Sequence, residues 1–194
     1  MKKLVFLLIC CVVTLTACHS TRSVADKHPA IQKEPEKNNA VSQQPVDFSE
    51  QSTWLLGYFN PGQLKSEPYS VWFYRGYDDY PVNQNAIDSL SEIGKDGLSI
   101  KIVMGTWCPD SRREVPRFMK VLDAWKFPAG YLTFIGVDNG KLSPIGGYEA
   151  LEIHRVPTFI IYKNNIEAGR IIENPETSLE QDMVKILRGM NNNK

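Results

Sequence analysis

"LSIKIVMGTWCPDS", residues 98–111, passes from an apolar run into a Trp-Cys-Pro corner. Leu98 to Gly105 is apolar enough for a central strand. Pro109 suits the first turn of a helix, where its missing N–H costs nothing. Val115, Phe118, Met119, Leu122 and Trp125 then recur at helical spacing and give that helix a buried stripe. Pro116 lies inside it and is expected to kink it. Cys108 thus falls at a strand-to-helix junction, at the N-cap. A partner thiol for dithiol chemistry would stand at 111, and that residue is Ser111.

Toward the C-terminus, "GYLTFIGVD" (130–138) predicts a second strand. "TFIIYKNNIEAGRII" (158–172) predicts a β-hairpin turning at Lys163, Asn164 and Asn165. Thr177 and Glu180 have the spacing of a capping box. Leu179, Met183, Ile186, Leu187 and Met190 give the last helix its apolar face, and Gly189 lies near its end. The order is strand, helix, strand, connection, hairpin, helix, without internal repeats.

Toward the N-terminus, Ile87, Leu90 and Ile93 predict a helix over 85–94. Residues 47–80 are rich in Trp, Tyr and Phe, and "PYSVWFYRGYDDY" (68–80) reads as a helix begun by Pro68 or as irregular structure. Aromatic side chains bury readily, so the expectation for 47–95 is an extension packed on the core rather than an aromatic binding surface. Residues 18–46 hold few large apolar side chains, several prolines and mixed charge; such a stretch reads as a flexible tether. "MKK" followed by "LVFLLICCVVTLTA" reads as the basic and apolar parts of a signal peptide, residues 1–17. Its end, Leu15-Thr16-Ala17-Cys18, resembles the lipobox of bacterial lipoproteins. That resemblance implies a lipidated Cys18 as the mature N-terminus and a membrane contact through its lipid. His19 in place of Asp implies the outer membrane, with the domain facing the periplasm.

The chain has 4 cysteines. On this reading Cys10 and Cys11 leave with the signal and Cys18 becomes a thioether, so Cys108 is the free thiol of the mature protein. Exported proteins use cysteines mainly in pairs, which leaves a single one as either a buried inert thiol or a reactive one. The full chain balances 22 basic against 22 acidic residues and becomes slightly acidic once Lys2 and Lys3 are gone. Nothing in this balance points to nucleic acid. With one free cysteine and scattered histidines no zinc site is expected. Gly146-Gly147 is followed by Tyr148 and not by the Lys-Ser/Thr of a phosphate loop, so no nucleotide cofactor is expected. His154 and Asp138 read as surface and turn residues, and the protein as a monomer.

Trp107-Cys108 at the corner, Val156-Pro157-Thr158 before the hairpin and Gly169 in the final strand come in the right order around these elements. In this the segment 96–194 resembles the thioredoxin superfamily. With the lipobox, tether and aromatic extension, the chain looks like a thioredoxin-like lipoprotein of the Bacteroidetes kind. The resemblance implies an α/β fold: a central mixed β-sheet flanked by helices, carrying an N-terminal aromatic-rich extension. It also implies that Val156–Pro157 is a cis bond beside the thiol. Two departures stand out. Ser111 replaces the resolving cysteine, and Ile102 occupies the position of the family's buried acid.

An N-cap cysteine meets unpaired N–H groups and the positive end of the helix dipole, which favour the thiolate. Arg112, Arg113 and Arg155 are expected to add positive potential, and Asp110 and Glu114 to oppose it. Ser111 is expected to donate to the sulfur and Trp107 to shield it. Pro157 is expected to hold a substrate chain against the thiol, with Val156 and Thr158 offering main-chain groups for strand-like pairing. The leading functional expectation is monothiol disulfide exchange by Cys108 with protein or low-molecular-weight thiols and disulfides. A non-catalytic binding module and a redox sensor are the alternatives.

Overall fold

Side chains alternate along a strand, and β2 (Leu98–Met104) buries both sides. Leu98, Ile100, Ile102 and Met104 enter a large core on one face of the sheet, while Val103 enters a smaller one on the other. Burial on both faces places β2 at the centre. It pairs in parallel with β3 (Leu132–Gly136) and antiparallel with β4 (Thr158–Lys163). β5 (Ile166–Ile172) extends the sheet beyond β4, and the two-residue β1 (Gly57–Tyr58) closes the other edge on β3. The computed structural model describes residues 45–191. The signal peptide expected at 1–17, Cys18 and the tether up to residue 44 lie outside the described residues.

The result is a mixed α/β architecture: a five-stranded sheet in the order β1-β3-β2-β4-β5 with four helices. The helices are α1 (Ser70–Asp79), α2 (Gln84–Ile93), α3 (Pro109–Ala124) and α4 (Leu179–Asn191). Among the described residues no helix is long and apolar enough to cross a membrane. All four helices send side chains into the large core, among them Phe73, Leu90, Phe118 and Met183. Phe118 stacks on Phe159 of β4 with ring centroids 4.2 Å apart. The extension therefore packs on the core, and it also contributes a strand, β1, that no period in the sequence had suggested.

Lys163 pairs with Ile166, so the hairpin turn consists of Asn164 and Asn165 alone, both with positive φ (51° and 63°). That is the backbone a tight two-residue turn requires, and asparagine tolerates it. Helix α3 is continuous through Pro116. The proline ring packs on Gly76 of α1, where a Cβ would come within 2.6 Å of it. A Cβ at Gly169 would lie 3.1 Å from Ile186, so that glycine lets α4 settle on β5.

The expected capping box of Thr177 and Glu180 is not formed. Ser178 caps α4 instead, its Oγ accepting from Gln181 N at 3.3 Å. Glu180 is fully buried and accepts from Tyr80 Oη at 2.8 Å and Asn83 N at 2.5 Å. It ties the last helix to the α1–α2 connection, a partner about a hundred residues away that local spacing does not report.

The second sheet face is covered by the connection 137–157, whose regular element is a short 3-10 turn at Tyr148–Leu151. Tyr148, Leu151 and Val156 close over Val103, Ile135 and Ile160, and Cys108 belongs to this smaller core.

Candidate functional site

Strand β2 ends at Met104, and four residues later Cys108 is the N-cap of α3, with extended backbone (φ −79°, ψ 122°). No side chain caps this helix start. Gly105 is needed here because a Cβ on it would lie 2.4 Å from the Trp107 indole nitrogen. Trp107 folds back over the corner, and its Nε1–H donates to Val137 O at 2.9 Å. Thr106 is buried and donates to Thr53 O at 3.0 Å, while its Oγ1 accepts from Leu55 N at 3.3 Å. The extension is thereby stitched to the corner that carries the thiol.

Cys108 is 7% exposed, free, and donates from Sγ to Val156 O at 3.3 Å. The Val156–Pro157 bond is cis. The structure therefore brings Cys108 together with the Val156-Pro157-Thr158 segment, across 48 residues of sequence. A carbonyl can only accept, so this contact exists with the thiol protonated.

The neighbours differ in part from expectation. Ser111 is buried, and its Oγ accepts from Gly105 N at 3.3 Å; no hydrogen bond to the sulfur is formed among the described residues. Ser111 closes the strand-to-helix corner. Thr158 is already paired in the sheet, opposite Val103 on one side and Ile172 on the other, and its hydroxyl donates to Arg155 O at 2.7 Å. Pro157 O accepts from Glu173 N at 2.7 Å. Of the expected pairing groups, Val156 O is engaged by the Cys108 thiol and not by a neighbouring strand. Ile102 is fully buried in the large core.

The expected positive potential is mostly committed elsewhere. Arg113 pairs with Asp110 and Glu114, each at 2.7 Å, and donates to Asn174. Its guanidinium is pushed up chiefly by the hydrogen bond to Glu114. Glu114 is buried and also holds Arg117 at 2.9 Å. Arg155 pairs with Glu173 at 2.8 Å. Arg112 alone of the expected three has no carboxylate partner among the described residues; its Cζ lies over the Phe48 ring, 4.8 Å from the centroid. His154 is exposed, on the rim of a cavity it shares with Arg155, Thr158 and Glu173. Burial pushes the Tyr148 phenol up to about 12, and Asp138 adds to this. No group of three or more His, Cys, Asp or Glu side chains is placed to hold a metal ion among the described residues.

A cleft of about 440 Å³ opens beside Trp107 and Arg112, walled on the far side by Phe48 and Trp54 of the extension. Sequence reasoning gave those two residues no place in the site, because aromatic content alone does not say which surface a segment will meet. A larger cavity of about 600 Å³ lies between β5 and α4, lined by other residues than these.

No family model matches the chain, and no curated protein matches it. Among solved structures it is similar to a protein of unknown function from Pseudomonas aeruginosa. The identity is 12% and the TM-score 0.48, over 62% of this chain and 84% of that one.

Proposed function

We propose that the segment from residue 96 onward is a thioredoxin-like domain whose Cys108 exchanges disulfides by a one-thiol mechanism. Its place would be the bacterial envelope, on a lipid carried by Cys18. The observation that carries the reading is the contact of Cys108 Sγ with Val156 O at 3.3 Å, beside the cis Pro157. Two motifs far apart in sequence meet at one atom pair. The strand order β1-β3-β2-β4-β5, with β2 and β3 parallel, is consistent with the same fold.

The chemistry follows from the corner. Cys108 releases its proton to solvent, which breaks the bond to Val156 O and leaves a thiolate at the start of α3. The thiolate attacks one sulfur of a substrate disulfide. A Cys108–substrate disulfide forms, and the other sulfur leaves as a thiolate and takes up a proton. Val156 O is then free to accept from a substrate N–H. With Ser111 at the resolving position, release falls to an external thiol. It attacks the substrate sulfur, forms a new disulfide with it and returns Cys108 as thiolate. No net oxidation or reduction occurs, which suits isomerisation or removal of small-thiol adducts.

The second reading, a binding module with an inert thiol, rests on the burial of Cys108 and on its bonded S–H. The two are separated by offering the full chain an activated aromatic disulfide and comparing it with Cys108→Ser. Exchange predicts a mixed disulfide that needs Cys108 and is released by added thiol. Full activity in Cys108→Ser, or a Cys108 that reacts only after unfolding, would sink the exchange reading.

A further inference from the structure

We infer that Arg112 receives the carboxylate of a small, carboxylate-bearing disulfide and so selects what reaches Cys108. The inference rests on the exchange reading above for its chemistry, but its geometry stands apart from it. Arg112 N donates to Cys108 O at 3.1 Å, so the two residues are one helical turn apart. Residues four apart share a helix face, with Cβ atoms about 5–6 Å from each other. A group held by Arg112 therefore sits within a short chain's reach of the sulfur.

The guanidinium is prepared for such a group. Arg113, Arg117, Arg155 and Arg170 each hold a carboxylate within 2.9 Å. Arg112 holds none among the described residues, and its Cζ lies over the Phe48 ring, 4.8 Å from the centroid. A ring offers a guanidinium no hydrogen-bond acceptor in its plane, so the N–H groups remain for a bidentate carboxylate. Arg112 lines the cleft of about 440 Å³, whose walls include Trp54, Trp107 and Asn139. This volume is that of a small-molecule site. Three aromatic rings, Phe48, Trp54 and Trp107, in a partly polar lining around one cation favour an anion with a flat body. A thiol only 7% exposed is likewise better reached by a slender molecule than by a folded partner. Lys141 Nζ stands 5.9 Å from the Trp107 ring and adds a second cation. Asp47 also lines the cleft and opposes them, its carboxylate kept ionised by the N–H of Ser49 at 2.9 Å.

The test compares two aromatic disulfides, dithiobis(nitrobenzoate), which carries carboxylates, and dithiodipyridine, which does not. Their second-order rates are measured on the full chain, with Cys108→Ser subtracting the other thiols. Arg112→Gln is expected to lower the ratio of the first rate to the second about tenfold, as for a lost hydrogen bond to a charged group. An unchanged ratio overturns the inference, and so does an equal fall in both rates, which would make Arg112 a structural residue. If neither probe reacts at Cys108, the exchange reading fails by itself. The anion site is then read on Cys108→Ser, by quenching of tryptophan fluorescence with nitrobenzoate. Saturable quenching that weakens about tenfold with Arg112→Gln supports the site; quenching that does not saturate overturns it.

Discussion

Helix α3 begins at Cys108 with no side chain bonded to its first N–H groups, whereas α4 begins at Ser178 with its cap in place. At α4 the buried Asp182 also accepts from Glu176 N at 2.7 Å, Thr177 N at 3.2 Å and Thr177 Oγ1 at 2.7 Å. Glu180 in the same turn holds Tyr80 and Asn83. One helix start is committed to structure. The other keeps its donors and its dipole free, and places there the free thiol of the described chain. The difference teaches where each function can reside: a helix end whose groups are all satisfied holds the fold, and one left open can act on a ligand.

Four changes probe this contrast. The largest effect is expected for Asp182→Ala, which removes three hydrogen bonds accepted by a buried carboxylate and should cost about 3 kcal/mol. The urea midpoint measures it; a loss under about 1 kcal/mol would mean that the α4 start is held by packing alone. Gly105→Ala should come next, at about 1–3 kcal/mol, because the new methyl meets the Trp107 ring. A changed tryptophan emission should accompany that loss, and an unchanged spectrum would show that Trp107 does not depend on the glycine.

The third change concerns pH. The Tyr80 phenol lies well above its ordinary 10.0, through burial first and then through the hydrogen bond it donates to Glu180. Its folded value exceeds its unfolded one, so its contribution is complete below pH 10 and declines as pH rises toward the folded value. Tyr77, lifted to about 12 chiefly by burial and by Asp123, acts in the same direction. Stability should therefore fall above pH 10, and Tyr80→Phe should flatten that fall in part. An identical pH profile in Tyr80→Phe would remove Tyr80 and Glu180 from the account of the α4 start. The smallest effect on stability belongs to Cys108→Ser. Serine is a good N-cap, so the variant should be as stable as the parent or gain up to about 1 kcal/mol, while losing exchange. A clear loss of stability would mean that the sulfur's packing in the small core supports α3 after all.

Much of this was legible in the chain. The β2–α3 corner, the hairpin and the apolar faces of α2 and α4 follow from periods of two and of three to four residues, and those periods hold because each element covers one core. The capping box failed for a definite reason. Ser178 outcompetes Thr177 at the cap, and Glu180 is drawn to Tyr80 and Asn83, partners that no local pattern encodes. Ser111 was expected to face the sulfur, yet it accepts from Gly105 N, since the tight corner has a donor to satisfy.

By itself the sequence determined the elements from α2 onward, the place of Cys108 at a helix start and the single-cysteine character of the site. These depend on side-chain spacing, on the proline at the first turn and on which residue stands at 111. Only the tertiary structure decided that Val156 meets the sulfur and that Arg113 and Arg155 are spent on carboxylates. It alone brought Phe48 and Trp54 to Trp107 to leave a cleft beside Arg112. Those outcomes depend on which surfaces come together when the sheet closes, and contacts across such distances leave no local period in a chain.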